Sequence, residues 1–261
     1  FLLRTTHDWQ LPFHLLRPKG PGPFPPLIAL HGHGNGAGDL LGLADNPADQ
    51  QRIAAHHYAY GLEAVQHGYL VVAPTKRGFG EASAGGLYTC RNLAANAIVA
   101  GLSAIGLHTW DNQRLLDYLL ARPDVRPGPV ACIGLSGGGG GTLWLTALDD
   151  RIGAAVISGH LANYDHTGAG LFGCVCNAVP GLLRWADRSD IAGLIAPRPL
   201  LIESADQDES YSRERTLAAY AAVERIYQVA GVPERLALDC FAGPHSWSGR
   251  LAWDFLARHL P

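Results

Sequence analysis

Apolar residues along the chain fall into short uninterrupted blocks, separated by longer stretches with helical spacing. Residues 27–30 (Leu-Ile-Ala-Leu), 69–73 (Tyr-Leu-Val-Val-Ala), 130–135, 154–157, 200–202 and 236–241 are runs of the kind that strands buried on both faces require. Between them, residues 47–66 place Ala54, Tyr58, Leu62 and Val65 on one helical face. Residues 94–107, 110–120 and 213–230 also suit helices, with a short capped helix at 190–196 and a last one near 249–259. Residues 4–17 read as antiparallel edge strands, and the Pro/Gly cluster at 18–26 as a loop. This alternation predicts an α/β fold: a mostly parallel central sheet with helices on both faces, forming one domain over residues 1–261. Residues 159–189 lack periodicity and predict a loop-rich insertion over the sheet, with Leu171, Phe172, Val179, Leu182 and Trp185 as candidate walls.

Two blocks end in chemistry. Residues 130–135 run into Gly134-Leu-Ser-Gly-Gly138, a G-x-S-x-G pattern in which a strand must turn into a helix within a few residues and lift the Ser136 hydroxyl above the sheet edge. Glycine fits on either side because larger side chains would collide there. The run continues to five glycines, which predicts a loosened helix start, since an interior glycine costs about 0.5–1 kcal/mol relative to alanine. The second block, residues 27–30, runs into His31-Gly-His-Gly-Asn-Gly36, where backbone N–H groups can converge as an oxyanion hole requires. A dinucleotide-type loop is the weaker reading, because no acidic residue ends a second strand about twenty residues on.

A serine needs a base, and the base needs an acid to orient it. After the 200–202 strand comes Glu203-Ser-Ala-Asp-Gln-Asp208, and after the 236–241 strand comes Gly243-Pro-His-Ser-Trp247, so the chain order is Ser136, acid, His245. Asp206, Asp208 and Glu203 are all candidates. Asp208 lies far enough past the strand to turn back towards His245. His56, His57 and His67 are read as surface residues of a helix, and Arg77 and Glu81 as loop charges at a strand end, near the site or simply solvated.

Composition narrows the function class. A net charge of −3 without basic blocks argues against nucleic acid or anionic membrane as partner, and no apolar run is long enough for a membrane span. Small molecules are the expected ligands. Five cysteines at irregular spacing do not form a disulfide framework: Cys132 and Cys240 fall in strands as small core residues, and Cys174-Val-Cys176 is a weak metal or redox signal without a second pair. The chain begins at Phe1 and holds no methionine, which implies removal of a native start and leaves a signal peptide, the compartment and the oligomeric state open.

These residues carry a resemblance. Leu30-His-Gly-His-Gly34, Arg77-Gly-Phe-Gly80, Gly134-Leu-Ser-Gly-Gly138, residues 176–184, residues 190–199 and Gly243-Pro-His-Ser-Trp247 are similar, in that order, to α/β-hydrolase superfamily esterases of the group related to acetyl xylan esterases and dienelactone hydrolases. The resemblance implies Ser136 as nucleophile, Asp208 as acid, His245 as base, and the backbone N–H groups of His33 and Gly137 as the oxyanion hole. Ala205 departs from it, standing where many relatives have glycine; dienelactone hydrolases carry a cysteine nucleophile, so Ser136 leans towards ordinary esters. The expected activity is hydrolysis of small or short-acyl carboxylic esters through an acyl-enzyme, with no metal or organic cofactor and with Phe172, Trp185 and Trp247 as pocket candidates. A serine peptidase or amidase on the same fold, or a catalytically silent binding protein, are the alternatives.

Overall fold

The apolar blocks become strands in the computed structural model, which describes residues 1–83, 89–164 and 173–260. They are β1 (Leu2–Thr6), β2 (Trp9–Leu16), β3 (Pro26–Leu30), β4 (Leu70–Pro74), β5 (Val130–Leu135), β6 (Ile152–Ser158), β7 (Leu200–Ala205) and β8 (Leu236–Phe241). They form an eight-stranded sheet in the order β1-β2-β4-β3-β5-β6-β7-β8. As the edge pattern predicts, β1 pairs antiparallel with β2 and β2 antiparallel with β4; every later pairing is parallel. Helices are α1 (Pro47–Ala55), α2 (Tyr60–Gln66), α3 (Thr89–Val99), α4 (Ala104–Leu120), α5 (Gly137–Leu148), α6 (Arg188–Gly193), α7 (Arg213–Val229) and α8 (Ala252–His259).

The uninterrupted runs have a simple cause. Leu27 and Ala29 of β3 face one core, with Tyr60 and Ala64 of α2 and Phe255 and Leu256 of α8. Ile28 and Leu30 face the other, with Leu115, Leu116 and Leu119 of α4. Both alternating sets are buried, so period-two alternation disappears, and each buried apolar side chain contributes about 1.5–3 kcal/mol. A third cluster packs α6 and α7 onto β6 and β7 through Ile191, Ala219, Val223 and Tyr227.

Several expected helices have other bounds. The 47–66 stretch is two helices broken at residues 56–59, where His57 takes φ 51°. The 94–107 and 110–120 stretches become α3 and α4, because Gly101 turns the chain at φ +73° and the Ser103 side chain caps α4 by accepting the Gly106 N–H at 3.1 Å. The last helix begins at Ala252. In the expected insertion, the described part is irregular apart from short 3-10 turns at Val175–Asn177 and Leu182–Arg184 and the capping box of α6, formed by Asp187 and Asp190.

Candidate active site

Parallel order brings the C-terminal ends of β3, β5, β7 and β8 to one edge, the edge where ligands gather in open α/β sheets. The β3 and β5 ends are stitched there by Tyr60, whose buried hydroxyl donates to the Leu30 carbonyl at 2.7 Å and accepts the Leu135 N–H at 3.3 Å.

Ser136 stands between β5 and α5 with φ 60° and ψ −123°, a region that costs a non-glycine residue about 1–3 kcal/mol. The surrounding glycines hold it there. A Cβ on Gly138 would lie 1.8 Å from the Leu30 carbonyl oxygen, and one on Gly134 would lie 2.4 Å from the Gly138 carbonyl carbon. A Cβ on Gly139 would lie 2.7 Å from the Ser158 carbonyl oxygen and one on Gly140 2.7 Å from the His160 ring, so the middle of the five-glycine run is a packing requirement; all five are buried within a helix that starts at Gly137, and the expected loosening does not occur. As first residue of α5, Gly137 has an N–H with no intrahelical partner.

Beside the elbow lies the loop after β3. A Cβ on Gly32 would approach the Ser136 Cβ at 3.2 Å, and one on Gly137 would approach His33 Nδ1 at 3.1 Å and Lys76 Nζ at 3.5 Å. His31 is a buried support: it accepts the Lys76 N–H on Nε2 at 3.0 Å and donates from Nδ1 to the Gly32 carbonyl at 2.7 Å. Burial holds its imidazole well below the usual range, neutral as that pattern needs. Lys76 is also buried, and burial lowers its ammonium to about 8, against the opposing pull of the thiols of Cys176, Cys90 and Cys174.

At the other side, His245 Nδ1 donates to Asp208 Oδ2 at 2.7 Å. Asp208 is buried, and its Oδ1 accepts the N–H groups of Ser210 at 2.8 Å and Tyr211 at 2.7 Å, which fixes the carboxylate. With the proton on Nδ1, Nε2 of His245 is left as the acceptor, the arrangement a general base needs. The other two acids have separate tasks. Asp206 is exposed and accepts the Gly243 N–H at 2.9 Å; Glu203 is buried and accepts from Ser248 and Gly249 at 3.1 and 3.0 Å. Burial raises the Glu203 carboxyl to about 7.

Ser136 and His245 line one cavity of about 440 Å³, together with His33, Tyr58, Cys174, Asn177 and Tyr211 among others. A larger one of about 1010 Å³ shares His33 and Cys174 and extends past Phe79, Glu81 and Cys90. Of the pocket aromatics, Phe172 lies outside the described residues, as does Leu171. Trp185 is 89% exposed and lines neither cavity, because the turn at Leu182–Arg184 carries it outward. Trp247 is buried in the core, stacked on Tyr60 at 4.7 Å between ring centroids. Val179 lines a separate apolar cavity with Ile98, Leu102 and Trp110, and Leu182 packs onto the third core cluster. Arg77 makes a paired contact with Asp111 at 2.6 and 2.7 Å, holding β4's following loop to α4, whereas Glu81 accepts from Thr75 at 2.8 Å and borders the larger cavity.

Helical spacing hides two contributors. At the break between α1 and α2, His56 Nδ1 donates to the His245 carbonyl at 2.6 Å, His57 Nδ1 donates to the Trp247 carbonyl at 3.2 Å, and the Trp247 N–H donates to the His56 carbonyl at 3.0 Å. His57 is exposed, as expected, and His56 half-buried, but neither lies within a helix, and both clasp the loop that carries His245. Sequence offered no sign of this beyond two adjacent histidines in a helical stretch.

No family model matches the chain. It is 28% identical over 266 residues to YtaP of Bacillus subtilis (strain 168), assigned as a hydrolase, covering 95% of this chain and 80% of that protein. Among solved structures it superposes on a Bacteroides fragilis NCTC 9343 protein assigned as an acetyl xylan esterase, with TM-score 0.77 and 19% identity, covering 92% of this chain. The chain has the α/β-hydrolase fold. Methylesterase BT1017 shares it with TM-score 0.70 and 23% identity over 95% of this chain. The chain spans 65% of the length of the first of these structures and 51% of the second. In the α/β-hydrolase fold the strand-to-helix turn after β5, the loop after β7 and the loop after β8 are the three places occupied here by Ser136, Asp208 and His245.

Proposed function

We propose that the protein is a carboxylic ester hydrolase in which Ser136 is the nucleophile, His245 the general base and Asp208 the acid that orients it. One observation carries the reading: a serine in a strained elbow conformation shares a cavity with an imidazole whose proton is fixed on Nδ1 by a buried carboxylate. His245 takes the Ser136 proton as the oxygen attacks the ester carbonyl, then returns it to the leaving alcohol. Water repeats the cycle on the acyl-enzyme and regenerates Ser136. The N–H groups of Gly137 and His33 receive the oxyanion, each such donor supplying about 3–4 kcal/mol, and the buried Lys76 ammonium adds positive potential beside them. The same reading takes residues 1–261 as one domain, because each of the proposed groups stands at the end of a strand of one sheet.

The cavity favours small, polar esters. Among the described residues its walls carry histidine, tyrosine, asparagine, serine and cysteine side chains, and none of them forms a long apolar trench for an extended acyl chain. The names of the structural relatives, an acetyl xylan esterase and a methylesterase, fit a short acyl or alkyl group on a larger polar molecule. A fluorophosphonate probe should label the wild-type protein on Ser136, and p-nitrophenyl acetate should turn over faster than its octanoate. Ser136→Ala should abolish labelling and lower turnover by on the order of 10⁴-fold. Labelling elsewhere, or turnover unchanged in the variant, would overturn the reading.

A further inference from the structure

Four side chains that the proposed ester chemistry does not use meet on the wall between the two cavities. They are His33 from the loop after β3, Cys90 from the first turn of α3, Cys174 just before the turn at Val175–Asn177 and Cys176 within it. Their ligand atoms all lie within 4.8 Å of one another. Cys90 Sγ is 3.9 Å from Cys174 Sγ, and Cys176 Sγ is 3.4 Å from His33 Nε2. Those spacings fit a specific object. In a tetrahedral site with Zn–S of about 2.3 Å and Zn–N of about 2.0–2.1 Å, the edges are about 3.8 Å between sulfurs and about 3.5 Å between sulfur and nitrogen.

We infer that His33 Nε2 and the sulfurs of Cys90, Cys174 and Cys176 form a tetrahedral zinc site. Disulfide pairing does not describe the cluster, since every cysteine is free and the Cys90 and Cys174 sulfurs are far outside bonding distance. Soft sulfur ligands with one imidazole select zinc over hard cations, and four protein ligands make a closed, structural site. On binding, each thiol gives its proton to solvent, and Zn²⁺ with three thiolates and a neutral imidazole carries one net negative charge. Lys76 answers that charge. Its buried ammonium interacts with all three sulfurs, and it pairs with no carboxylate among the described residues.

The site would join three segments that the sheet alone does not fix to one another. It would also fix a tautomer: ligation at Nε2 leaves the His33 proton on Nδ1, the nitrogen that faces Gly137. The metal would thus set the position of the His33 backbone, a consequence that rests on the ester-hydrolase reading, whereas the site itself does not.

The test is metal analysis of the full chain, made without a polyhistidine tag in zinc-supplemented medium and dialysed into metal-free buffer. About one zinc per chain is expected, together with its loss in Cys174→Ser and Cys176→Ser. Should those variants fail to fold, the wild-type protein reconstituted with Co²⁺ should show ligand-field bands and thiolate-to-cobalt charge transfer of a tetrahedral sulfur site. A zinc-free protein whose cobalt form lacks those bands, a stoichiometric metal other than zinc, or a disulfide between Cys90 and Cys174 in freshly purified protein would overturn the inference. Fluorophosphonate labelling is read on the same samples. A labelled protein that holds no zinc and lacks the cobalt bands removes the metal site alone, and a zinc-loaded protein without labelling removes the esterase reading alone.

Discussion

The Ser136 side of the cavity and the cysteine side are assembled by different means. Ser136 is held by its nearest neighbours in sequence: β5 delivers it, α5 carries it away, Gly134 lets α5 lie against β5, and Gly138 lets α5 pass within contact of β3. The cysteine side collects residues far apart along the chain, with 84 positions between Cys90 and Cys174 and 143 between His33 and Cys176. The first is encoded as a motif and tolerates little change at the backbone. The second is encoded only by the way the loops converge, and nothing local announces it.

The sharpest break in that comparison comes from the two carboxylates of the loop after β7. Asp208→Asn should lower ester turnover by on the order of 10⁴-fold, because the amide would stabilise the wrong tautomer of His245. Asp206→Asn should stay within a few-fold, since Asp206 bonds only a backbone N–H on an exposed turn. Steady-state kinetics of the pair decides it; equal losses would sink the assignment.

A smaller effect tests the backbone constraint. Gly138→Ala places a methyl carbon against the Leu30 carbonyl and should cost about 3 kcal/mol in urea unfolding. Gly101→Ala meets no atom within 4 Å and strains only its own φ of +73°, so it should cost about 1 kcal/mol. The reverse ranking would mean that the elbow glycines are not a packing requirement.

The smallest effect is a pH dependence. Burial raises the Glu203 carboxyl to about 7, above its unfolded value of 4.5. The folded chain then binds the extra proton more tightly than the unfolded one. Glu203 therefore contributes stability that is fully present below the unfolded value and is lost as pH rises through about 7. Between the two values the slope is at most about 1.4 kcal/mol per pH unit. Glu203→Gln should flatten this slope in denaturation series between about pH 5 and about pH 8; an unchanged slope would assign it to another group.

Much of the sheet was legible because strands buried on both faces leave unbroken apolar runs, and the elbow was legible because close packing there admits only glycine. Strand ends also put Asp208 and His245 in loops that the fold brings into hydrogen-bond contact. The rest depended on three-dimensional convergence. Trp247 follows His245 by two residues yet turns into the core against Tyr60, and Trp185 turns out to solvent; apolar character alone gives no direction. The break at residues 56–59 escaped because the apolar spacing continues across it, while its cause, the clasp on residues 245–247, lies at the far end of the chain.

That clasp has a consequence for the order in which the molecule is made. Its hydrogen bonds close a loop of 189 or 190 positions. Ring closure on that scale carries an entropic toll that short hairpins and helix pairs escape, so it becomes favourable only after intervening strands have drawn the two ends together. A nascent or refolding chain would therefore regain its bulk secondary structure first. The imidazole of the proposed base would settle last, and, on that proposal, reactivity would lag behind compaction.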